Sequence, residues 1–138
     1  MIHLLGVSMN NNLQYKQPIG SCYAQPILMP LDDLNWQLHE EYYVLSEHMS
    51  FTIPKGFVTD LASVPRCIWN IYPPFGLYTG AAVAHDYLYR TKQMRVTRKE
   101  ADALFKEQMH KAGVESSQAQ LMYLAVRAFG WASFKDRK

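Results

Sequence analysis

The sequence predicts an α+β fold, with a small antiparallel sheet in the N-terminal half followed by an antiparallel three-helix C-terminal half. Two observations carry this expectation. All seven prolines lie at or before Pro74, so only the second half is free of residues that break helical hydrogen bonding. Within the first half, residues 21–28, 36–45 and 49–58 mix aromatic and β-branched side chains with polar ones, in lengths suited to short strands. With 49% hydrophobic and 19% charged residues, the 138-residue chain has the composition of one compact domain rather than of a disordered tail or coiled coil. A single α+β domain over 1–138 is expected, strand-rich over 1–70 and helical over 77–138.

Taken in order, the strands are bounded by Pro, Asn, Asp and Gly. Pro54-Lys55-Gly56 reads as a turn in which proline presets φ and glycine supplies an unusual backbone angle. Residues 65–80 combine turn formers and aromatics with no single period, which predicts a structured loop. Three helical patterns follow, over 79–92, 98–112 and 117–134, with connections short enough to make neighbours antiparallel. Thr97-Arg-Lys-Glu100 is a capping box at the second helix, and Gly113 fits the position just past its end. Ser117 with Gln120 is a weaker start signal for the third.

Charge excludes little. A formal net charge of +2 is too small to steer the whole chain to nucleic acid, and no nucleic-acid-binding motif is present. Cys22 and Cys67 have no metal-type spacing and read as free thiols; His3, His39, His48 and His110 are scattered without ligand spacing. No apolar run reaches the about 20 residues of a membrane span, and the first residues lack the pattern of a signal peptide, so synthesis and folding in the cytoplasm are expected.

The stretch 81–89, AAVAHDYLY, is where chemistry is expected. Small residues that let another backbone approach closely precede a His-Asp pair. On a helix, His85 and Tyr89 share a face, while Asp86 points about 100° away. If the first two helices pack across the turn at 92–96, Asp102 of the second can face His85. A neutral imidazole is an effective base near pH 7, and a carboxylate on its other nitrogen fixes the tautomer and steadies the developing charge. His85 is then the candidate base and Asp102 the orienter; Asp86 reads as a ligand for a hard cation such as calcium together with loop carbonyls, as an acceptor for the loop's amides, or equally as a structural residue. Asp60 joins them only if the end of the sheet lies over this helix pair.

Residues 56–66, GFVTDLASVPR, followed by AHDYLY at 84–89 and RKEADALF at 98–105, closely resemble a family of small phage and prophage proteins catalogued as a domain of unknown function. The resemblance covers about 49–130. It implies a viral origin, a place in the virion or tail machinery after synthesis in the host cytoplasm, and other phage structural proteins or a second copy as partners. The shorter pattern His85-Asp86-x-x-Tyr89 with Ala101-Asp102-x-x-Phe105 is similar to the helix pair of A-two type phospholipases. That similarity implies a metal-assisted hydrolase, with His85 activating water, Asp86 binding calcium, Asp102 orienting His85 and Tyr89 supporting the network. A lipid or cell-envelope substrate would follow. The glycine-rich calcium loop and the disulfide framework of the secreted enzymes are missing.

Plainer roles stand beside these. His85 reads equally as a core histidine satisfied by Asp102 and a carbonyl, in a noncatalytic assembly protein whose polar network only stabilises the fold. Asp60 reads as a turn residue, and Arg66 as an anion clamp or, more ordinarily, a tie to Asp60. Thr59 and Ser63 lack the context of a nucleophile. The last helix is apolar around much of its circumference, and Trp131 and Phe134, near Lys135, Arg137 and Lys138, are candidates for a partner surface.

Overall fold

A computed structural model of the protein describes residues 24–61, 68, 71 and 76–135. Those residues form an α+β structure with strands first and helices second. The strands make two small antiparallel sheets rather than one. In the first, β1 (Leu28–Pro30) pairs with β2 (Trp36–Leu38), and β2 pairs in turn with β5 (Val58–Thr59). The second is the hairpin of β3 (Tyr42–Leu45) and β4 (Ser50–Ile53), in the register Tyr42↔Ile53.

Two interruptions produce this division. The run 36–45 breaks between Leu38 and Tyr42, so its halves enter different sheets. The run 49–58 folds at the turn expected from Pro54 and Gly56, where Gly56 takes φ +91° and the Phe57 amide donates to the Pro54 carbonyl at 3.2 Å. A positive φ is open to glycine at no steric cost, which is why that residue can turn the chain between β4 and β5. The expected strand over 21–28 falls partly outside the described residues; Ala24–Ile27 are not strand.

The helical half begins with α1 (Thr79–Arg90), whose Ala81, Ala82 and Ala84 are fully buried. A single 3₁₀ turn at Lys92–Met94, closed by Arg95 at φ +51°, leads to α2 (Arg98–Lys111). The capping box forms as read. Glu100 Oε2 accepts from the Thr97 amide at 2.8 Å, and Thr97 Oγ1 accepts from the Glu100 amide at 3.2 Å, which satisfies donors that the first turn leaves without partners. Gly113, at φ +85°, ends α2 where expected.

The third helical pattern differs from expectation at both ends. α3 (Ser116–Phe129) starts earlier, capped by the Glu115 carboxylate on the Ser117 amide at 3.2 Å, not by Ser117 and Gln120. It also stops at Gly130, and a short α4 (Trp131–Lys135) follows. The junction lies against α1, although Gly130 itself keeps helical angles, φ −74° and ψ −10°. A Cβ at residue 130 would stand 2.6 Å from the Tyr89 hydroxyl and 2.5 Å from the Val126 carbonyl oxygen, so only glycine lets the chain pass so close to Tyr89. The core joins Leu38, Tyr42, Val44 and Ile53 of the strands to Leu88 of α1, Leu104, Phe105 and Met109 of α2, and Met122 and Val126 of α3.

Candidate functional site

His85 and Asp86 are neighbours on α1, and their divergent directions place them in two separate polar networks. His85 is completely buried, its ring centroid 4.1 Å from that of Tyr89 and 4.8 Å from that of Phe105. Its Nε2 lies 2.6 Å from Asp102 Oδ1. The Tyr89 hydroxyl, one turn along α1, donates to the same oxygen at 2.6 Å. The second Asp102 oxygen accepts from Arg127 Nη1 of α3 at 2.7 Å, with Arg98 Nη1 at 3.5 Å. Arg98 also donates to the Val126 and Arg127 carbonyls at 3.1 and 3.0 Å, so it ties down the last turn of α3. One fully buried carboxylate on α2 thereby gathers donors from α1 and α3 as well as from its own helix.

Charge states follow from these partners. Burial pushes the Asp102 carboxyl up, but the hydrogen bonds it accepts from His85, Tyr89 and Arg127 outweigh it and hold the group below its usual range. It is a carboxylate at neutral pH and can only accept. Burial drives His85 below its ordinary value despite Asp102, so the imidazole is neutral. A neutral ring facing a carboxylate through Nε2 carries its proton there, which leaves the lone pair on Nδ1. Among the described residues that Nδ1 is buried and has no hydrogen-bond partner. Burial and the same carboxylate also raise the Tyr89 phenol, which stays a donor.

The second network joins α1 to the sheet. Asp86 is buried; its Oδ2 accepts from the Thr59 hydroxyl at 2.6 Å, and its Oδ1 lies 3.2 Å from Arg90 Nε. Arg90 Nη2 donates to Asp60 Oδ1 at 2.8 Å and Nη1 to the Val58 carbonyl at 3.0 Å. Thr59 Oγ1 in turn accepts from the Leu61 amide at 3.1 Å, while Leu61 itself is buried in the left-handed region at φ +55°. Burial raises the Asp86 carboxyl to about 6, against the pull of Arg90 and Thr59.

The structure brings His85, Tyr89 and Asp102 together as the sequence suggests, and it separates Asp86 from them. Calcium does not fit Asp86. One of its oxygens is held by a hydroxyl and the other by a guanidinium, and no group of three His, Cys, Asp or Glu side chains among the described residues could hold a metal ion. Asp60 does reach the helices through the sheet end, but its link runs to Arg90. Arg66 lies outside the described residues, as do Ser63, Cys22 and Cys67. Thr59 is no nucleophile; it is a buried strut between Leu61 and Asp86. Trp131 is exposed, whereas Phe134 is half-buried and packs edge-on against Tyr89 at 5.2 Å, so it belongs to the inner wall rather than to a partner surface.

Arg127, Arg98, Arg90 and Gly130 complete the networks without a motif in the sequence that assigns them there. Arg127 and Gly130 had left a trace: one charge and one glycine interrupt an otherwise apolar helical run, and each marks a close approach to the network.

The sequence profile of a family described as "Protein of unknown function (DUF1353)" matches residues 36–126, which hold every member of both networks except Arg127. The chain belongs to the DUF1353 family. It is also similar to "Uncharacterized protein y4jT" of Sinorhizobium fredii (strain NBRC 101917 / NGR234), 36% identical over 84 residues, which cover 59% of this chain and 24% of that protein. The chain thus spans about a quarter of the length of the curated relative it matches. No solved structure matches this DUF1353 chain.

Proposed function

We propose that this DUF1353 protein is a small phage-encoded virion or tail component whose His85 is the general base of a hydrolytic site. The single observation that carries the chemical part is the asymmetry of the imidazole: Nε2 is fixed on a carboxylate, while Nδ1 keeps its lone pair with no partner among the described residues. Buried polar atoms in native proteins are overwhelmingly bonded, and leaving one without a partner costs about 1–3 kcal/mol, so an atom kept in that state invites a use. The phage setting rests on the motifs at 56–66, 84–89 and 98–105.

In this reading a water molecule at Nδ1 attacks the carbonyl carbon of an ester. The new C–O bond forms as the water proton passes to Nδ1. Asp102 stabilises the resulting imidazolium through Nε2–H, and Tyr89 and Arg127 keep Asp102 in place. When the tetrahedral intermediate collapses, the bond to the leaving oxygen breaks and the imidazolium returns its proton to that oxygen. Lipids and cell-envelope polymers are the substrate classes to try.

A second reading has its own observation. His85 is 0% exposed, which favours a noncatalytic assembly protein in which the network pins α1, α2 and α3 together. Purified protein and its His85→Gln variant, incubated with mixed phospholipid vesicles and with peptidoglycan, each with calcium or EDTA, separate the two. Glutamine can still donate to Asp102 but offers no basic lone pair. Hydrolysis by the wild type that is lost in His85→Gln, with thermal unfolding little changed, supports the base. No release by folded wild-type protein in any condition leaves the assembly reading.

A further inference from the structure

One oxygen of Asp102 faces two guanidiniums. Arg127 Nη1 lies 2.7 Å and Arg98 Nη1 3.5 Å from the same Oδ2, so two like charges stand side by side on a single carboxylate. The rest of that network adds no negative charge, because the His85 ring is neutral and Tyr89 keeps its phenol proton. The other carboxylates of α2 are turned elsewhere. Glu100 closes the capping box on Thr97, while Glu107 accepts from the Ser46 hydroxyl and the Glu47 amide and pairs with Lys111. The α3 sequence holds no acidic residue. Positive charge is therefore in excess where α2 meets α3.

Both arginines turn one terminal nitrogen inward. Arg98 reaches Asp102 and the Val126 and Arg127 carbonyls through Nη1, and Arg127 reaches Asp102 through its own Nη1, which leaves Nε and Nη2 of each for another acceptor. The two side chains are 24% and 32% exposed, so that acceptor can come from solution. One helical turn along α2 from Asp102, Lys106 holds its Nζ 5.0 Å over the ring of Tyr123, which lies one turn before Arg127 on α3. Beside this pair a groove of about 450 Å³ opens between Lys106, His110, Tyr123 and Glu47. We propose that Arg98 and Arg127 bind the phosphate group of a phosphate ester, with Lys106 extending the positive rim and the groove taking the organic part. A planar carboxylate presents two oxygens and is filled by one guanidinium fork. A phosphate ester offers more acceptor oxygens and up to two charges, which suits two forks that one carboxylate half-neutralises.

The proposal does not depend on the chemistry of His85. It is tested on the full chain at one ionic strength in phosphate, acetate or chloride, with phenylglyoxal to modify accessible guanidiniums and peptide mass spectrometry to locate them. Arg98 and Arg127 should react at least about fivefold more slowly in saturating phosphate than in chloride, with acetate close to chloride and the exposed Arg95 unaffected. The thermal midpoint should rise in phosphate for the wild type. It should rise less in Lys106→Gln and in Arg127→Lys, which keeps a cation on Asp102 but loses the fork. If Arg127→Lys does not fold, protection of the wild-type arginines decides. Vesicles containing phosphatidic acid separate the sources: sedimentation that free phosphate competes away assigns the group to a lipid headgroup, and protection by phosphate without sedimentation assigns it to a soluble ester. Three results would each overturn the proposal: arginines that phosphate does not protect, protection that acetate matches, or a phosphate-dependent rise in midpoint that both substitutions leave intact.

Discussion

Two adjacent residues of α1 sit in networks that look alike in composition and differ in completeness. Around Asp86, both carboxylate oxygens are engaged, and the linked Thr59, Arg90 and Asp60 tie the helix to the end of the sheet. Around His85, the carboxylate of Asp102 is as fully engaged, yet the imidazole keeps one buried nitrogen without a partner among the described residues. Activity is to be sought at the open network. A closed network accounts for itself as structure, because each desolvated atom has recovered its hydrogen bond, whereas an open one leaves a cost that packing alone does not explain.

The largest effect is expected where three helices meet. Asp102→Asn removes the charge that Arg127 and His85 face, and on the order of 3 kcal/mol of stability should be lost in chemical denaturation. A cost below about 1 kcal/mol would mean that the helix network is no tighter than a surface contact. Thr59→Val tests the sheet network in the same way. It strips Asp86 Oδ2 and the Leu61 amide of a partner, and about 2 kcal/mol is expected from the same measurement.

Gly130 touches the helix network alone, through Tyr89. Gly130→Ala should push the Tyr89 hydroxyl off Asp102 and cost about 1–3 kcal/mol, and Tyr89→Phe about 1 kcal/mol. Since both act on one hydrogen bond, the double variant should lose less than the sum, whereas Gly130→Ala with Thr59→Val should be additive.

The two networks should also differ in the sign of their pH dependence. Asp86 titrates at about 6 when folded and near 3.8 when unfolded, so its contribution is fully present below 3.8 and is lost as the pH rises through about 6. His85, held below 6.5, contributes above 6.5, and that contribution is lost as the pH falls below it. Wild type should therefore lose stability relative to Asp86→Asn between pH 3.8 and about 6, with a constant difference above that range. A difference that does not move with pH would show that Asp86 is ionised throughout.

Local rules made part of this legible in the sequence. The Thr97–Glu100 box, the turn at Gly56 and the helix end at Gly113 depend on residues within a few positions of one another, and each forms as read. His85, Tyr89 and Asp102 were within reach because helical spacing and one short turn fix where they can point. The partners of Asp86 are not legible because they come from β5, 27 residues before it and in a sheet whose placement no helical spacing specifies. Arg127 and Gly130 arrive from α3 by a second return of the chain. The need for glycine at position 130 is set by the Tyr89 ring, which no local propensity records.

The central claim is the protonation state of one ring, and nitrogen NMR of the His85 imidazole reads it directly. Expected are a proton on Nε2 and a bare Nδ1 at pH 7, a ring that stays neutral below pH 6.5, and loss of that fixed tautomer in Asp102→Asn. A proton on Nδ1, or an imidazolium at pH 7, would contradict it.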